Sequence, residues 1–342
     1  MPGEIRKVPA EMLDLSKMGA FSLRNKIING DMLVNQRGWL GNRLGATNNG
    51  GKASLYGFDR WMVDTSAHAS LNAEWVPVWD NKFSPRTAFI NFNNLGTNPA
   101  PSNVEEYVLI QQTIEGLNSA TLGWGTPLAK PAVLSFTASS SVNGFVMSIA
   151  VRNSTVWNKS FVASVTLTTT PKRYEIVIPA ITSGSWNVNT SGGVAVSFVL
   201  RKTPKYHTAT LNQWQDGNFI AATAQTDLFT QAAGAKVSIG LVQFEEGIAA
   251  TPFEYRPFGL ELSFCQRYFY NVSGEYAFVT TTPASTANAR AFPTRMRTTP
   301  TVVCTPASGS GATMHASADR FAQYGIHSGE SRIDILTFSA EF

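Results

Sequence analysis

The sequence predicts an all-β chain: an antiparallel sandwich, then a small C-terminal β-domain, with a short N-terminal segment in front. Three observations carry this. Apolar residues recur at every second position over strand-length runs, the mark of half-buried strands. Clusters of Gly, Asn, Ser and Thr, residues that supply the positive φ of tight turns, separate the runs. Charged residues are 15% of the 342 and hydrophobic ones 43%, against an ordinary charged share of ~25%. The composition fills a sizeable core and leaves a neutral surface of Ser, Thr, Asn and Gln.

The elements follow in order. Residues 1–25 stand apart as an anchor or docking segment. Glu11-Met12-Leu13-Asp14-Leu15-Ser16-Lys17-Met18 is compatible with two short helical turns, too short to bury an apolar face alone. A mobile terminus is one reading; a peptide that orders on a partner is the other, and the apolar residues Met12, Leu13, Leu15, Met18, Phe21 and Leu23 speak for it. The sandwich is assigned to residues 26–258. Its rows are Phe145, Met147, Ile149 and Val151; Tyr174, Ile176 and Ile178; Val194, Val196, Phe198 and Leu200; and Val237, Ile239 and Leu241. Turns fall at Ser141–Gly144, Thr182–Ser185 and Asn189–Gly193, and Thr208–Ala233 reads as an irregular or partly helical insertion. Short strands joined by tight turns favour an antiparallel sandwich over a parallel α/β sheet. Phe253 and Tyr255 alternate with Glu254 and Arg256 as a last strand, which Pro257 ends. The second unit, residues 259–342, is expected to open with a strand at Cys265–Tyr270. It continues with Thr301–Cys304 and Ile333–Phe338, with small-residue loops at Thr281–Ala291 and Thr305–Ser317. So small a unit gains by packing on its neighbour or on copies of itself.

Composition excludes several classes. No run of ~18–20 apolar residues exists, so no transmembrane helix and no membrane insertion are expected. No apolar run follows the basic residues near Met1, so no secretory signal is expected. Cys265 and Cys304 are the only cysteines, which removes a disulfide scaffold or a Cys-ligated zinc site. Two buried free thiols are expected, with one disulfide as the alternative. A net charge of +4 is small for this length and does not indicate nucleic acid.

Several segments resemble a large set of bacteriophage tail-fibre and virion structural proteins. They are Asn25-Lys26-Ile27-Ile28-Asn29-Gly30-Asp31, Asn35-Gln36-Arg37-Gly38, Phe58-Asp59-Arg60-Trp61, Gln112-Thr113-Ile114-Glu115-Gly116-Leu117 and Trp214-Gln215-Asp216-Gly217. The most specific is Val242-Gln243-Phe244-Glu245-Glu246-Gly247-Ile248-Ala249-Ala250-Thr251-Pro252-Phe253-Glu254-Tyr255-Arg256-Pro257, where Phe244 stands at a position usually Leu. Glu261–Tyr268 and Phe292–Val302 extend the likeness, which spans roughly residues 25–342. The resemblance implies a virion component, made in the host bacterial cytoplasm, with a jelly roll like a carbohydrate-binding module. The physics of these motifs is structural: Trp61 is expected in the core, with Asp59 and Arg60 pairing or capping backbone.

Chemistry motifs are missing. There is no nucleophile elbow, phosphate loop, dinucleotide fingerprint, His-Glu-x-x-His or EF-hand loop, so no catalytic residue, cofactor or metal is expected. His68, His207, His315 and His327 read as polar loop residues. Glu105-Glu106 and Glu245-Glu246 are adjacent, so on strands they face opposite ways and cannot form a glycosidase pair. Sugar binding suits the surface better, because aromatic rings stack on sugars while amides bond hydroxyls. Trp157, Trp186, Asn187, Asn189, Trp214 and Gln215 are the candidates, with packing between sheets or subunits as the alternative role of the tryptophans. His315, Tyr324 and His327, in the terminal unit, form a second candidate set at the tip. The expected function is a tail fibre that adheres to a host surface glycan as a homotrimer, contacting other virion proteins through residues 1–25. The alternatives are a purely structural head fibre, decoration or baseplate protein, and, third, a polysaccharide depolymerase.

Overall fold

The computed structural model describes residues 23–38, 42–44, 53–66, 73–79, 88–96, 98, 105–202, 204–272, 276–308 and 313–342. Most of the proposed anchor, residues 1–22, lies outside them. The chain is all-β, built on two antiparallel sheets packed as a jelly-roll sandwich. One sheet has six strands, in the spatial order Asn42–Leu44, Ala73–Trp79, Ala88–Asn94, Lys236–Glu246, Ala132–Ser140 and Lys172–Ile178. The other has seven, in the order Trp214–Asp216, Lys159–Thr166, Val146–Asn153, Gly192–Arg201, Val108–Glu115, Met62–Thr65 and Ala53–Tyr56. The apolar rows read from the sequence face each other across the core, except that Leu241, at a φ of 51° where the register shifts between Gly240 and Gln243, leaves its row and Val242 and Phe244 enter the core instead. Phe136 of one sheet meets Phe198 of the other edge to face, with ring centroids 4.9 Å apart, and Trp61 lies beside Phe198. Trp61 is fully buried and its indole N–H donates to the Asn29 carbonyl at 2.9 Å.

The strand Lys172–Ile178 keeps the expected alternation of buried and exposed residues. Gly192–Arg201, by contrast, is buried on both faces. The cause is the insertion after Thr208. Ile220 and Ala221, with Leu211 and Phe219 beside them, pack on Leu109, Ala150, Val162 and Val199 and cover part of the outer face of the seven-stranded sheet. The rest of that outer face stays open, and this positions the site described below.

The second unit departs from expectation in three places. The segment expected as a strand at Cys265–Tyr270 is mostly helix: Phe258–Gln266 is α-helical and only Phe269–Asn271 is strand. Pro257 starts the helix, where a missing N–H costs nothing. Glu261 and Cys265, four residues apart, point into the protein. Thr281–Ala291 is not a loop but part of the strand Tyr276–Ala291, and Thr305–Ser317 contributes to the strands Thr301–Ser308 and Thr313–Ala316. All three pair with the long strand Arg320–Ser339, which supplies a ladder that small side chains do not announce. The last strand of the sandwich ends at Glu246, and the signature runs on without a ladder. Its alternation holds all the same: the Phe253 and Tyr255 rings meet edge to face at 4.9 Å.

Most segments that carry the phage resemblance converge on one buried junction between the sandwich and the terminal unit; Trp214–Gly217 lies apart, at the edge of the seven-stranded sheet. Asn25 donates to the Val242 carbonyl and accepts from the Phe244 and Ile27 amides. Gln112 bonds both backbone groups of Ile28 at 2.8 Å. Arg256 donates to the carbonyls of Ile27 and Asn25 and pairs with Glu254 and Glu261. Glu261 in turn accepts from the Asn29 amide. Glu115 receives Arg267 at 2.6 Å and the Tyr268 hydroxyl at 2.6 Å. Asp59 caps the Gln36 amide and pairs with Arg37 at 2.8 Å, while Arg60 pairs with Glu341. Gly30 is fixed by contact: a Cβ there would strike the Val242 carbonyl. These partners lie more than 200 residues apart in several cases, so the signature is the fastening between two units.

Candidate functional site

Beside this junction lies a groove of about 390 Å³. Its floor is the open outer face of the seven-stranded sheet, where Met62, Asp64, Gln111 and Thr113 point outward. Ser154, Thr155 and Trp157 form one wall, Ser191 and Gly192 another, and Arg297 and Phe342 of the terminal unit close an end. Both units therefore build it.

Trp157 is presented by a strained turn. Thr155 and Trp157 have φ of 84° and 55°, in the left-handed region that L-residues with large side chains avoid. Asn153, fully buried, holds the turn in place. Its Oδ1 accepts from the amides of Asn158 at 3.0 Å and Lys159 at 2.9 Å, and its Nδ2 donates to Asn158 Oδ1 and the Ser185 carbonyl. Arg152 lies beneath, its guanidinium carbon 4.6 Å from the centroid of the Trp157 ring. Arg152 is 5% exposed and its guanidinium donates to Asn218, Gln111 and Ser197. Burial holds its pKa down to about 10, with the nearby Tyr107 and Asp64 acting the other way. Asp64 accepts from the Tyr107 hydroxyl at 3.1 Å. Gly192 fits because a Cβ there would meet Ser154 and Thr113. The site thus offers an aromatic ring, amides, hydroxyls and a carboxylate along an open trough. That inventory suits a polyhydroxylated ligand. No group of three or more His, Cys, Asp or Glu among the described residues is placed to hold a metal ion.

The structure sorts the candidates read from the sequence. Trp157 lines the groove. Asn187 braces it, donating to Thr155 Oγ1 at 3.0 Å and to the Gly192 carbonyl at 2.8 Å. Asn189 accepts from the Ser191 amide at 2.9 Å and so holds the same wall. Trp186 and Trp214 go elsewhere. They meet Trp124 edge to face, at 4.9 and 5.2 Å, and pack on the main core. Their indole N–H groups are spent on the carbonyls of Ser183 and Pro179. Gln215 bonds Thr208 and the Thr210 carbonyl, inside the insertion. His315 is exposed on the strand Thr313–Ala316. Tyr324 and His327 fall on Arg320–Ser339, with their side chains outside what is described. Sequence reasoning missed Asp64, Gln111, Arg152 and Arg297. Arg152 had a signal: it alternates with the apolar row Phe145, Met147, Ile149 and Val151, which puts it on the outer face. Both cysteines are free; Cys265 is buried and Cys304 half-buried.

No family model matches the sequence, and no curated protein matches it. Among solved structures the chain is similar to the enzymatically active domain of bacteriophage CBA120 tailspike protein 4, at 12% identity and a TM-score of 0.29. That match covers 65% of this chain and 21% of the tailspike chain. The family 11 carbohydrate-binding module from Clostridium thermocellum, in complex with a β-1,3-1,4-mixed-linked tetrasaccharide, matches at 11% identity and a TM-score of 0.30, over 59% of this chain and 98% of the module. The N-terminal cellulose-binding domain of Cellulomonas fimi β-1,4-glucanase C matches at 9% identity and a TM-score of 0.25, over 56% and 90%.

Proposed function

We propose that this chain is a phage virion fibre protein, of the tail-fibre kind, that adheres to a host cell-surface glycan through the Trp157 groove, without covalent chemistry. The observation that carries the adhesion reading is the groove itself. It holds an aromatic ring on a rigid turn, flanked by Asp64, Gln111, Thr113 and Ser154, on an open face of about 390 Å³. The virion placement rests on the segments that resemble tail-fibre proteins. One observation favours the second reading, a purely structural virion role: many polar side chains of those segments, Asn25, Asp59, Gln112, Glu115, Arg256 and Glu261 among them, are spent on bonds inside the buried junction.

Weak single sites suffice if the fibre is a homotrimer, because tethered sites act at ~mM effective concentration. The test is binding of the labelled protein to host cells before and after mild periodate, which cleaves vicinal diols in surface sugars. Loss of binding after periodate, with protease treatment harmless, is expected. Binding that survives periodate and falls with protease would point to a protein receptor.

A further inference from the structure

Most buried or half-buried arginines with described side chains carry a carboxylate. Arg24 pairs with Glu245, Arg37 with Asp59, Arg60 with Glu341, Arg201 with Asp227, Arg256 with Glu261 and Arg267 with Glu115. Arg152 and Arg297 are the exceptions among the described residues: one lies under Trp157 of the groove and the other lines it. Arg152 donates to three neutral oxygens, and its Nε has no partner among the described residues. Arg297 lines the groove and donates to the carbonyls of Thr190, Ala340 and Glu341. Burial holds the pKa of both below the usual arginine value. Asp64 acts on Arg152, and Glu115 and Glu341 on Arg297, only from beyond pairing distance, and a buried cation without an ion-pair partner is costly. The second cavity at the junction, about 300 Å³, makes the contrast: its guanidiniums, Arg256 and Arg267, are already neutralised.

Asp64 is the one carboxylate lining the groove, and strand register separates it from Arg297. Asp64 lies opposite Leu109, while Gly192, beside the Thr190 that Arg297 bonds, lies opposite Glu115. Six residues of strand span ~20 Å at about 3.3 Å per residue. The trough is therefore acidic at the Asp64 end and basic at the Arg297 end, while the Arg152 guanidinium lies between them, bonded to Gln111 and Ser197 and within reach of the Asp64 charge.

We propose that the groove selects a glycan bearing a carboxylate, an acidic sugar whose carboxylate sits at the Arg297 end while a neighbouring unit meets Trp157 and its hydroxyls reach Asp64. This rests on the glycan-adhesion reading and adds the class of sugar. An arginine offers a planar fork that matches a carboxylate, and Arg297 has donors left after its three carbonyl bonds.

The experiment is calorimetric titration of the full chain with galacturonate- and glucuronate-containing oligosaccharides, and with the same oligosaccharides after carboxyl reduction. Reduction should weaken binding about tenfold or more, the usual scale for a hydrogen bond to a charged group. Gln111→Glu gives Arg152 the carboxylate it lacks. It should hold or raise the melting temperature and shrink the preference for the acidic form, and Arg297→Gln should shrink it as well. If acidic and reduced forms bind alike, and Trp157→Ala abolishes both, the acid selectivity is wrong while the glycan reading stands. If neither form binds up to mM concentrations, both fall. A preference left intact in both variants removes the arginines as its cause.

Discussion

Asp59 holds a charge where burial disfavours it. Desolvation raises its pKa to about 6, against the opposing pull of Arg37 and the Gln36 amide. An unfolded Asp titrates near ~3.9, so the folded state binds this proton more tightly. Ionised Asp59 therefore costs stability above pH 6, and the cost is relieved as pH falls from 6 toward 4. The size is on the order of 2–3 kcal/mol. Melting curves of wild type and Asp59→Asn between pH 4 and 7 should differ in slope, with the wild type losing ground as pH rises. Parallel curves would mean that the Arg37 pair compensates the burial fully. Trp157 and Asn153 are the other residues on which the account turns. One is the aromatic surface, and the other pins the left-handed turn that presents it.

At the scale of elements, the junction joins pieces that are remote in sequence, and Arg256 is its centre. Arg256→Ala would leave Glu261 buried without its cation and two carbonyls without a donor. Breaking a buried pair this way costs about 3–5 kcal/mol. The expected outcome is a large drop in melting temperature; a change of only a degree or two would show the fastening to be redundant. Strands were legible where large apolar residues alternate, as at Tyr174, Ile176 and Ile178. They were illegible at Thr281–Ala291, where Thr, Ser and Ala give no period and the partner strand decides the conformation. The helix Phe258–Gln266 was hidden because its buried pair includes a glutamate, whose partner Arg256 lies outside the helix. The groove was half legible. Trp157 stood out as an aromatic beside amides, but Trp186 and Trp214 looked the same, and only packing on Trp124 separates them. Asp64, Gln111 and Arg297 come from three distant segments that the sheet register and the junction bring together.

For the whole molecule, the terminal unit is one five-stranded sheet built around the long strand Arg320–Ser339. Its described core includes a cluster of seven buried residues from Val272 to Ala340, beside a second that Cys265 and Tyr268 share with Ile28 and Val34. The strands Tyr276–Ala291 and Arg320–Ser339 run on beyond it. A single layer of strands gains stability when another layer covers it, which agrees with the proposed homotrimer. Light scattering should give three times 37.1 kDa; a stable monomer would contradict it. Arg24 and Asn25, the last residues before the sandwich as read from the sequence, bond into the junction. A truncation meant to spare the junction should stop before Arg24.

The central claim is that Trp157 is a binding surface while Trp214 is a structural one. The direct measurement is cell binding and melting temperature for Trp157→Ala and Trp214→Ala side by side. Loss of a stacking aromatic at a hot spot costs about 2 kcal/mol, tenfold or more in affinity. The account predicts that Trp157→Ala loses at least that much binding at an unchanged melting temperature, while Trp214→Ala melts lower. Unchanged binding by a fully stable Trp157→Ala protein would contradict it.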